Sequence, residues 1–404
     1  MQVGIDWGSE QHEVAVLEDS GEPKERFAVK HSRKGLDKLI AELSHYGPAS
    51  ETWVAIERKE GRLVDRLLEA GHPVVMVKPD AIRQWRKSEA GSGAKSDRGD
   101  AEIIADYLRL CRHRLSPLEP FSDHTKALRA VTRTRKDLVK QRVAASNQLG
   151  ATLDAFWPGA KTLFADLTSD IALAFLESYP TPSKASHLGE KRMAAFLKRN
   201  HYSGRSKPSE LVAKLEAAPP GITAGLEPQA RADALLAMVR VIRALNQSIK
   251  ELERSNGALL SEHPDAEIFT SLPRSGKVNA AQILAEVGDC RQAYDGPEGL
   301  AALAGVTPVT RQSGKHRSVG FRWACNKNLR DAVCRWADNS RQASPWAQMI
   351  YQEARERGHD HPHAVRILAR AWIRVIWRCW IDRVPYDPSR HGAARKLAEE
   401  ALAA

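Results

Sequence analysis

The sequence has few cysteines, and they are not spaced for disulfide bonds or zinc binding. Five occur among 404 residues, and none lies in a Cys-x-x-Cys pair. An odd number cannot form a complete set of disulfide bonds, so we expect a reducing compartment and no zinc knuckle. The cysteines are Cys111, Cys290, Cys325, Cys334 and Cys379.

Long uninterrupted apolar runs are also absent. The most apolar stretch, 364–381, contains four arginines, and that many charges exclude an ordinary membrane span. The amino terminus has no basic region followed by a long apolar run, so no signal peptide is expected. The arginines share one helical face, where we expect phosphate contacts, with pairing to acids elsewhere as the alternative. They are Arg366, Arg370, Arg374 and Arg378.

Acidic residues are outnumbered by basic ones. The chain has 61 Lys and Arg against 50 Asp and Glu, which gives a net charge of +11 and a pI near 9.4. This excess favours a polyanionic partner, either nucleic acid or an acidic membrane. Apolar residues make up 42% of the chain, enough for a sizeable core, and the length predicts two to four domains.

Strand and helix patterns alternate over the first 112 residues. Short apolar runs predict strands, and apolar residues at spacings of three and four predict helices. The resulting order is βββαβαβα, a mixed α/β layered domain. Strands are predicted over 3–7, 12–17, 25–30, 53–57 and 73–77, and helices over 33–46, 61–70 and 97–110.

The rest of the chain is predicted to be mostly helical. Apolar spacing indicates long helices over 124–155 and 229–260, forming a coiled coil with each other or with another subunit. Between them, 156–226 contains helical pieces and no motif. Residues 265–382 form a compact basic segment. The predicted domains are 1–115, a helical region 116–262, a carboxyl-terminal domain 263–385 and a polar tail 386–404.

Four carboxylates are expected to meet in the first domain. Asp6 lies within the first strand, Glu57 ends the fourth, and Asp97 and Asp100 share one face at the start of a helix. Clustered carboxylates repel, so they require cations, and hard oxygen ligands suit Mg²⁺ or Mn²⁺. The alternatives are a helix cap for Asp97, a helix-dipole contact for Asp100 and a solvated strand end for Glu57.

Two features of the last domain point to phosphate. Residues 268–288 resemble a helix-hairpin-helix whose turn amides can hold a backbone phosphate, with an ordinary helix turn as the alternative. Ser313 lies between Arg311 and Lys315; on these residues alone, a polar loop serine is the favoured interpretation. Ser275 and Ser318 are lesser candidates for a nucleophile. Predicted nucleic-acid contacts are Arg129, Arg133, Arg135, Lys136, Lys140, Arg142, Lys277, Arg311, Lys315, Arg317 and Arg322.

Three segments carry a resemblance to a known family. They are Val3-Gly-Ile-Asp6, Val54-Ala-Ile-Glu57 and Lys95-Ser-Asp97-Arg-Gly-Asp100-Ala101. With the βββαβαβα order, they resemble the DEDD-type insertion-sequence transposases of the RuvC-like branch of the ribonuclease H fold. Relatives include pilin-gene invertases and bridge-RNA-guided serine recombinases. The resemblance covers roughly 1–155 and 265–345. It departs after Glu57, where many relatives have a small residue, Gly and an aromatic.

The resemblance implies a specific chemistry. Ser313 matches the presumed covalent nucleophile of the family, so a Mg²⁺-dependent DNA transposase or recombinase is expected. Its implied partners are donor and target DNA, a guide or bridge RNA, and further copies of the chain in a dimer or tetramer, with no membrane. A bacterial cytoplasmic, nucleoid-associated location follows. The alternatives are a metal-dependent nuclease or junction resolvase without strand rejoining, and a nucleic-acid-binding protein whose carboxylates are structural.

Overall fold

The computed structural model describes residues 1–58, 60–89, 97–314 and 316–394, without the side chains of Glu89, Asp97 and Arg98. The chain falls into two compact units. The first comprises Met1–Ser122 and Cys290–Asp295, and the second comprises Asp123–Asp289 and Gly296–Ala404.

A five-stranded sheet forms the centre of the first unit, in the order β3-β2-β1-β4-β5. The pairs β1–β2 and β2–β3 are antiparallel, and β1–β4 and β4–β5 are parallel. The mixed α/β prediction is confirmed, and only α3 was not expected. The strands are β1 (Gln2–Asp6), β2 (Gln11–Leu17), β3 (Pro23–Lys30), β4 (Trp53–Ile56) and β5 (Val74–Met76); the helices are α1 (Arg33–Ser44), α2 (Arg62–Glu69), α3 (Pro79–Glu89) and α4 (Asp97–Cys111).

Both faces of this sheet are covered because its central strands carry apolar side chains on both sides. On one face, Val3 and Ile5 pack with leucines of α1 and α2. On the other, Ala55 packs with Ile104 and Leu108 of α4. The result is a three-layer core that fixes the position of each strand end.

Two long helices dominate the second unit: α5 (Asp123–Phe156) and α11 (Glu227–Glu262). They run antiparallel, because residues early in α5 meet residues at the end of α11. Thr125 Oγ1 lies 2.9 Å from His263 Nε2, and Thr152 lies against Met238. The helices predicted over 124–155 and 229–260 are therefore confirmed, and they pair within one chain.

The segment between these helices has its own aromatic core. Phe156, Phe175 and Phe196 are buried together, and Leu235 of α11 packs into the same cluster. Short helices supply this core: α6 (Pro158–Thr162), α7 (Asp170–Ser178), α8 (Pro182–Ala185), α9 (Glu190–Arg199) and α10 (Pro208–Glu216).

The remainder of the second unit is helical apart from one hairpin that the sequence did not predict. Trp336, Trp372 and Trp380 are fully buried and form much of its core. The elements are α12 (Ala266–Thr270), α13 (Gly276–Val287), α14 (Pro297–Leu303), β6 (Val309–Ser313), β7 (His316–Gly320), α15 (Lys327–Ser340), α16 (Pro345–Glu356) and α17 (His361–Asp382). Of the helices described, none combines the length and apolarity that a bilayer crossing requires.

Candidate active site and nucleic-acid interface

Asp6 and Glu57 lie at the same edge of the first sheet. Strands β1 and β4 are parallel, and Ile5 is paired with Ile56. The next residues along the two strands are Asp6 and Glu57. Their neighbours are also in contact, since the Arg58 guanidinium lies 3.8 Å from the centroid of the Trp7 ring. This cation–π contact occupies the position where the sequence departs from the resembled family.

Helix α4 directs its amino end toward the same edge. A Cβ on Gly4 would lie 2.1 Å from the Ala101 carbonyl oxygen, so the helix backbone rests directly on β1. Eight residues later, Arg109 packs against Gly21, beside the opposite end of β1. Because α4 is therefore antiparallel to β1, its first turn, with Asp100, lies toward Asp6.

Asp100 is the best buried of the described acids in this set, at 8% exposure. It forms an ion pair with Arg86 of α3. Arg86 Nε is buried and has no hydrogen-bond partner within the part of the chain that the structure describes. The negative charge of Asp100 is thus balanced by a side chain of the protein itself, with which any bound cation would compete.

The carboxylates fit a hard divalent cation in donor chemistry, since every predicted ligand is an oxygen. Among the side chains described, which exclude that of Asp97, no three His, Cys, Asp or Glu are grouped to hold a metal ion. The structure therefore brings Asp6, Glu57 and the first turn of α4 to one edge, and the ligand set stays a prediction.

A buried histidine next to this edge was missed by the sequence analysis. His12 of β2 is fully buried, and its Nδ1 accepts a hydrogen bond of 3.3 Å from the backbone N–H of Gly8. Its Nε2 lies 2.8 Å from His31 Nδ1. Burial, followed by the charge of His31, lowers the pKa of His12 to about 4. The neutral ring fixes the chain just after Asp6. Alternation along β2 was the available signal, because it places His12 on a buried face.

Ser313 ends β6 at the tip of an exposed hairpin. The next residue, Gly314, has a φ of +54°, which glycine adopts without strain. Ser313 is exposed and paired across the turn with His316, and Arg311 is paired with Ser318. The Ser313 hydroxyl is therefore open to a ligand, whereas Ser275 is 2% exposed and is not. Lys315 lies outside the described residues.

The turn between α12 and α13 is tight, as a helix-hairpin-helix requires. Arg274 and Gly276 both have positive φ, of 54° and 60°. Lys277 is exposed in the first turn of α13, and the buried Ser275 Oγ has no partner among the described residues. The amino end of α13 thus presents backbone amides beside a cation, although phosphate binding there stays a prediction.

Three arginines of α5 are used inside the protein. Arg129 is 7% exposed and donates from Nε to the carbonyl oxygen of Ala285 at 2.7 Å. Arg133 makes two hydrogen bonds to Glu286, of 2.8 and 2.9 Å. Arg135 pairs with Glu253 of α11. Burial corrects the expectation for Arg129, whose guanidinium is not available to nucleic acid.

The other predicted nucleic-acid contacts on α5 differ in whether their side chains already bind a distant residue of the protein. Lys136 bonds to Asn328 and Asp331, and Arg142 bonds to Asn246. Lys140 is exposed and pairs only locally with Asp137. On this helix, the accessible positive charge is therefore smaller than the sequence indicated.

The charged row of α17 follows the alternative interpretation, pairing with acids elsewhere, at two of its four positions. Arg370 and Arg374 both bond to Glu298 of α14. Arg378 pairs with Asp382 one turn later. The expectation that the whole row faces phosphate is therefore wrong, because these guanidinium groups have carboxylate partners. Arg366 instead lies over the ring of Phe321.

Comparison with known proteins identifies the type of protein that shares these features. Residues 3–158 match the DEDD transposase profile of IS110 type, and residues 266–352 match that of the IS116/IS110/IS902 transposase family. The protein assigned as the mini-circle transposase of IS117 from Streptomyces coelicolor is 32% identical, over 96% of this chain and 95% of its own.

Two further relatives show the same full-length similarity. The 42 kDa protein of insertion element IS900 from Mycobacterium paratuberculosis is 28% identical, over 97% of this chain and 98% of its own. The 44.8 kDa protein of IS116 from Streptomyces clavuligerus is 28% identical, over 96% of each chain. Similarity extends through the helical middle, so both units are shared. The chain belongs to the IS110/IS116 family of insertion-element transposases.

Proposed function

We propose that this transposase cuts and rejoins DNA through a covalent Ser313–phosphate intermediate, with Asp6, Glu57, Asp97 and Asp100 forming a metal-binding set. The observation that carries the proposal is the meeting of the β1 and β4 strand ends with the first turn of α4. The strand order β3-β2-β1-β4-β5 supports a ribonuclease H-like, RuvC-like assignment for this unit.

The role of the carboxylates follows from their charge. Several acids at one edge repel each other and the phosphate diester, so they require a cation before DNA can approach. Mg²⁺ or Mn²⁺, when bound, would neutralise phosphate oxygens and polarise phosphorus. Asp6 and Glu57 lie at the ends of neighbouring strands and would each supply one ligand oxygen. Asp100 would have to break its ion pair with Arg86 to bind the metal.

Ser313 would attack phosphorus from the tip of the β6–β7 hairpin. Its Oγ–P bond forms as the bond from phosphorus to one DNA oxygen breaks; the serine proton leaves to a base, and the DNA oxygen gains one. The product is again a phosphodiester, so rejoining to another DNA strand needs no ATP. Exposed Arg311, on the same face of the hairpin as Ser313, can hold phosphate oxygens during this exchange.

The family resemblance extends the proposal to partners. We propose donor and target DNA as substrates, a bridge RNA as guide, and a dimer or tetramer whose subunits contribute the carboxylates and the serine in pairs. The proposed nucleic-acid contacts are Arg133, Arg135, Lys136, Lys140, Arg142, Lys277, Arg311, Lys315, Arg317 and Arg322.

The deciding experiment is a search for the covalent intermediate. Purified protein is incubated with Mg²⁺, DNA carrying the element's ends and RNA transcribed from its flanking sequence, then run on a denaturing gel. We expect a protein–DNA adduct that Ser313→Ala and Asp6→Asn both abolish. Ser318→Ala, which removes the other exposed serine of the hairpin strands, should keep the adduct.

The two alternative functions predict different results for these variants. DNA cleavage that persists in Ser313→Ala, with strand exchange lost, would indicate a metal-dependent nuclease or resolvase in which water attacks. Full activity in Asp6→Asn, together with no Mg²⁺ binding by calorimetry, would indicate that the carboxylates are structural.

A further inference from the structure

Trp323 is exposed in a way that no other tryptophan of this protein is. All ten tryptophans lie in the described residues, and Trp323 is the one with an exposed side chain, at 75%. Trp336, Trp372 and Trp380 in the same unit are fully buried. Leaving a ring of this size in water forfeits a large apolar burial, and tryptophan is enriched where proteins bind partners.

The ring is held in place rather than left to swing freely. Trp323 follows β7 and meets Phe321 edge to face, with centroids 4.9 Å apart and planes at 76°. The guanidinium groups of Arg330 and Arg366 lie 4.9 and 5.0 Å from the Phe321 centroid. A cation–π stack anchored in α15 and α17 thus supports one side of Trp323 while its surface stays open.

The sequence around this ring carries positive charge only. From 309 to 330 the sequence contains six Lys or Arg and no Asp or Glu. Exposed Arg317 and Val319 lie on β7, which ends three residues before Trp323. A cleft of about 370 Å³ opens at the base of the hairpin, lined by Val319, Phe321, Arg322, His363, Arg366 and Arg370.

We infer that Trp323 is a stacking platform for an unpaired base of the DNA strand that lies across the β6–β7 hairpin. An open aromatic face next to a basic hairpin matches a single strand, whose bases present π-faces and whose phosphates bind arginine. A duplex hides those faces within its stack. The choice of DNA as the strand rests on the proposed function, in which Ser313 on the same hairpin attacks a DNA phosphate.

The inference is tested by photo-crosslinking and by binding. The full chain carrying Ser313→Ala, which cannot form the covalent link, is mixed without Mg²⁺ with a single-stranded DNA containing 5-iododeoxyuridine. After irradiation, mass spectrometry should locate the crosslink at Trp323. In fluorescence anisotropy, Trp323→Leu should weaken single-strand binding about tenfold. Trp323→Phe, which keeps an aromatic ring, should retain most of the parent's affinity.

Control measurements show whether the loss of binding is specific to Trp323 and to single-stranded DNA. Duplex DNA of the same length should lose less than twofold affinity in Trp323→Leu. Leu226→Ala, which alters an apolar residue that is 91% exposed elsewhere in the unit, should bind both DNAs normally. Because Trp323 is exposed, the thermal midpoint of Trp323→Leu should equal that of the parent.

Three outcomes would overturn the inference. The crosslink could map away from Trp323, or Trp323→Leu could lose equal affinity for single-stranded and duplex DNA. The protein could also bind RNA of the same sequence at a tenfold lower concentration than DNA. None of these depends on catalysis. If no protein–DNA adduct forms, the serine mechanism is rejected. The position of the crosslink still tests the role of Trp323.

Discussion

His12 makes the stability of the first unit depend on pH. Burial, followed by the charge of His31, lowers the pKa of its ring to about 4, whereas the unfolded value is about 6.5, and its Nδ1 accepts from Gly8. Between these values the unfolded chain binds more protons. The contribution of His12 is complete above pH 6.5 and is lost as pH falls through about 4, by an amount on the order of 3 kcal/mol.

Urea denaturation at pH 7.5 and pH 5 measures this effect. His12→Gln, whose amide oxygen can accept from Gly8, should reduce the difference between the two midpoints. His45→Gln, at an exposed histidine in the same unit, should leave the difference unchanged. Identical pH dependence in His12→Gln and the parent would contradict this explanation.

Single residues also show where sequence patterns stop being informative. Asp6 and Glu57 were found from the sequence because an acid in or after an apolar strand is locally unusual. Arg129 was assigned to the wrong environment, because its partner, the carbonyl of Ala285, is 156 residues away. A charged side chain carries no local signal that distinguishes an internal acceptor from a phosphate.

Between elements, a buried carboxylate joins α5 to α13. Burial alone would raise the pKa of Glu286, yet hydrogen bonds from Arg133 and Asn326 hold that pKa below its usual value. Glu286 is 4% exposed, and because its pKa is lowered it is ionised within the core. We infer that this contact fixes the register of α5 against the carboxyl-terminal helices.

Removing Arg133 should be costly for this reason. Arg133→Met leaves the Glu286 carboxylate buried without its two guanidinium bonds, and we expect a loss of about 3 kcal/mol in the free energy of unfolding. Urea denaturation of the full chain measures the change. Replacing both residues, as Arg133→Met with Glu286→Met, should recover most of it.

An exposed pair of the same geometry provides the control. Arg243 bonds to Glu177 through two contacts of 2.7 and 2.8 Å, but both side chains are more than a third exposed. Arg243→Met should therefore cost less than about 1 kcal/mol. Equal losses in the two variants would show that burial does not strengthen the α5–α13 contact.

Elements were predictable where their packing is regular. Both long helices and four strands of the first sheet, β1, β2, β4 and β5, have one or two buried faces, so their apolar periodicity shows in the sequence. The β6–β7 hairpin has exposed residues along almost its whole length. It carries no apolar alternation, and the sequence therefore gave no strand signal at the segment that holds Ser313.

For the whole molecule, the net charge of +11 predicts binding to DNA that weakens with salt. Each phosphate neutralised contributes about 0.9 to the slope of log affinity against log salt concentration. Arg311→Ala and Arg317→Ala should each lower that slope by about one, measured by anisotropy with duplex DNA between 50 and 200 mM salt.

Arg243→Met tests whether this effect is local to the hairpin. It removes one positive charge from the surface and keeps the rest of the molecule unchanged, so its salt slope should equal that of the parent. A slope that falls equally in all three variants would mean that binding follows net charge rather than the β6–β7 hairpin.

The amino-acid sequence by itself determined the alternation of strands and helices, the long α5 and α11, the positive charge and the acids at two strand ends. These properties depend on neighbours a few residues apart. The tertiary structure alone decided which basic side chains pair with carboxylates inside the protein, such as Arg86 with Asp100. It also decided that Trp323 is exposed to solvent while the other tryptophans are not. Burial and pairing depend on residues distant in the chain, and no local pattern encodes them.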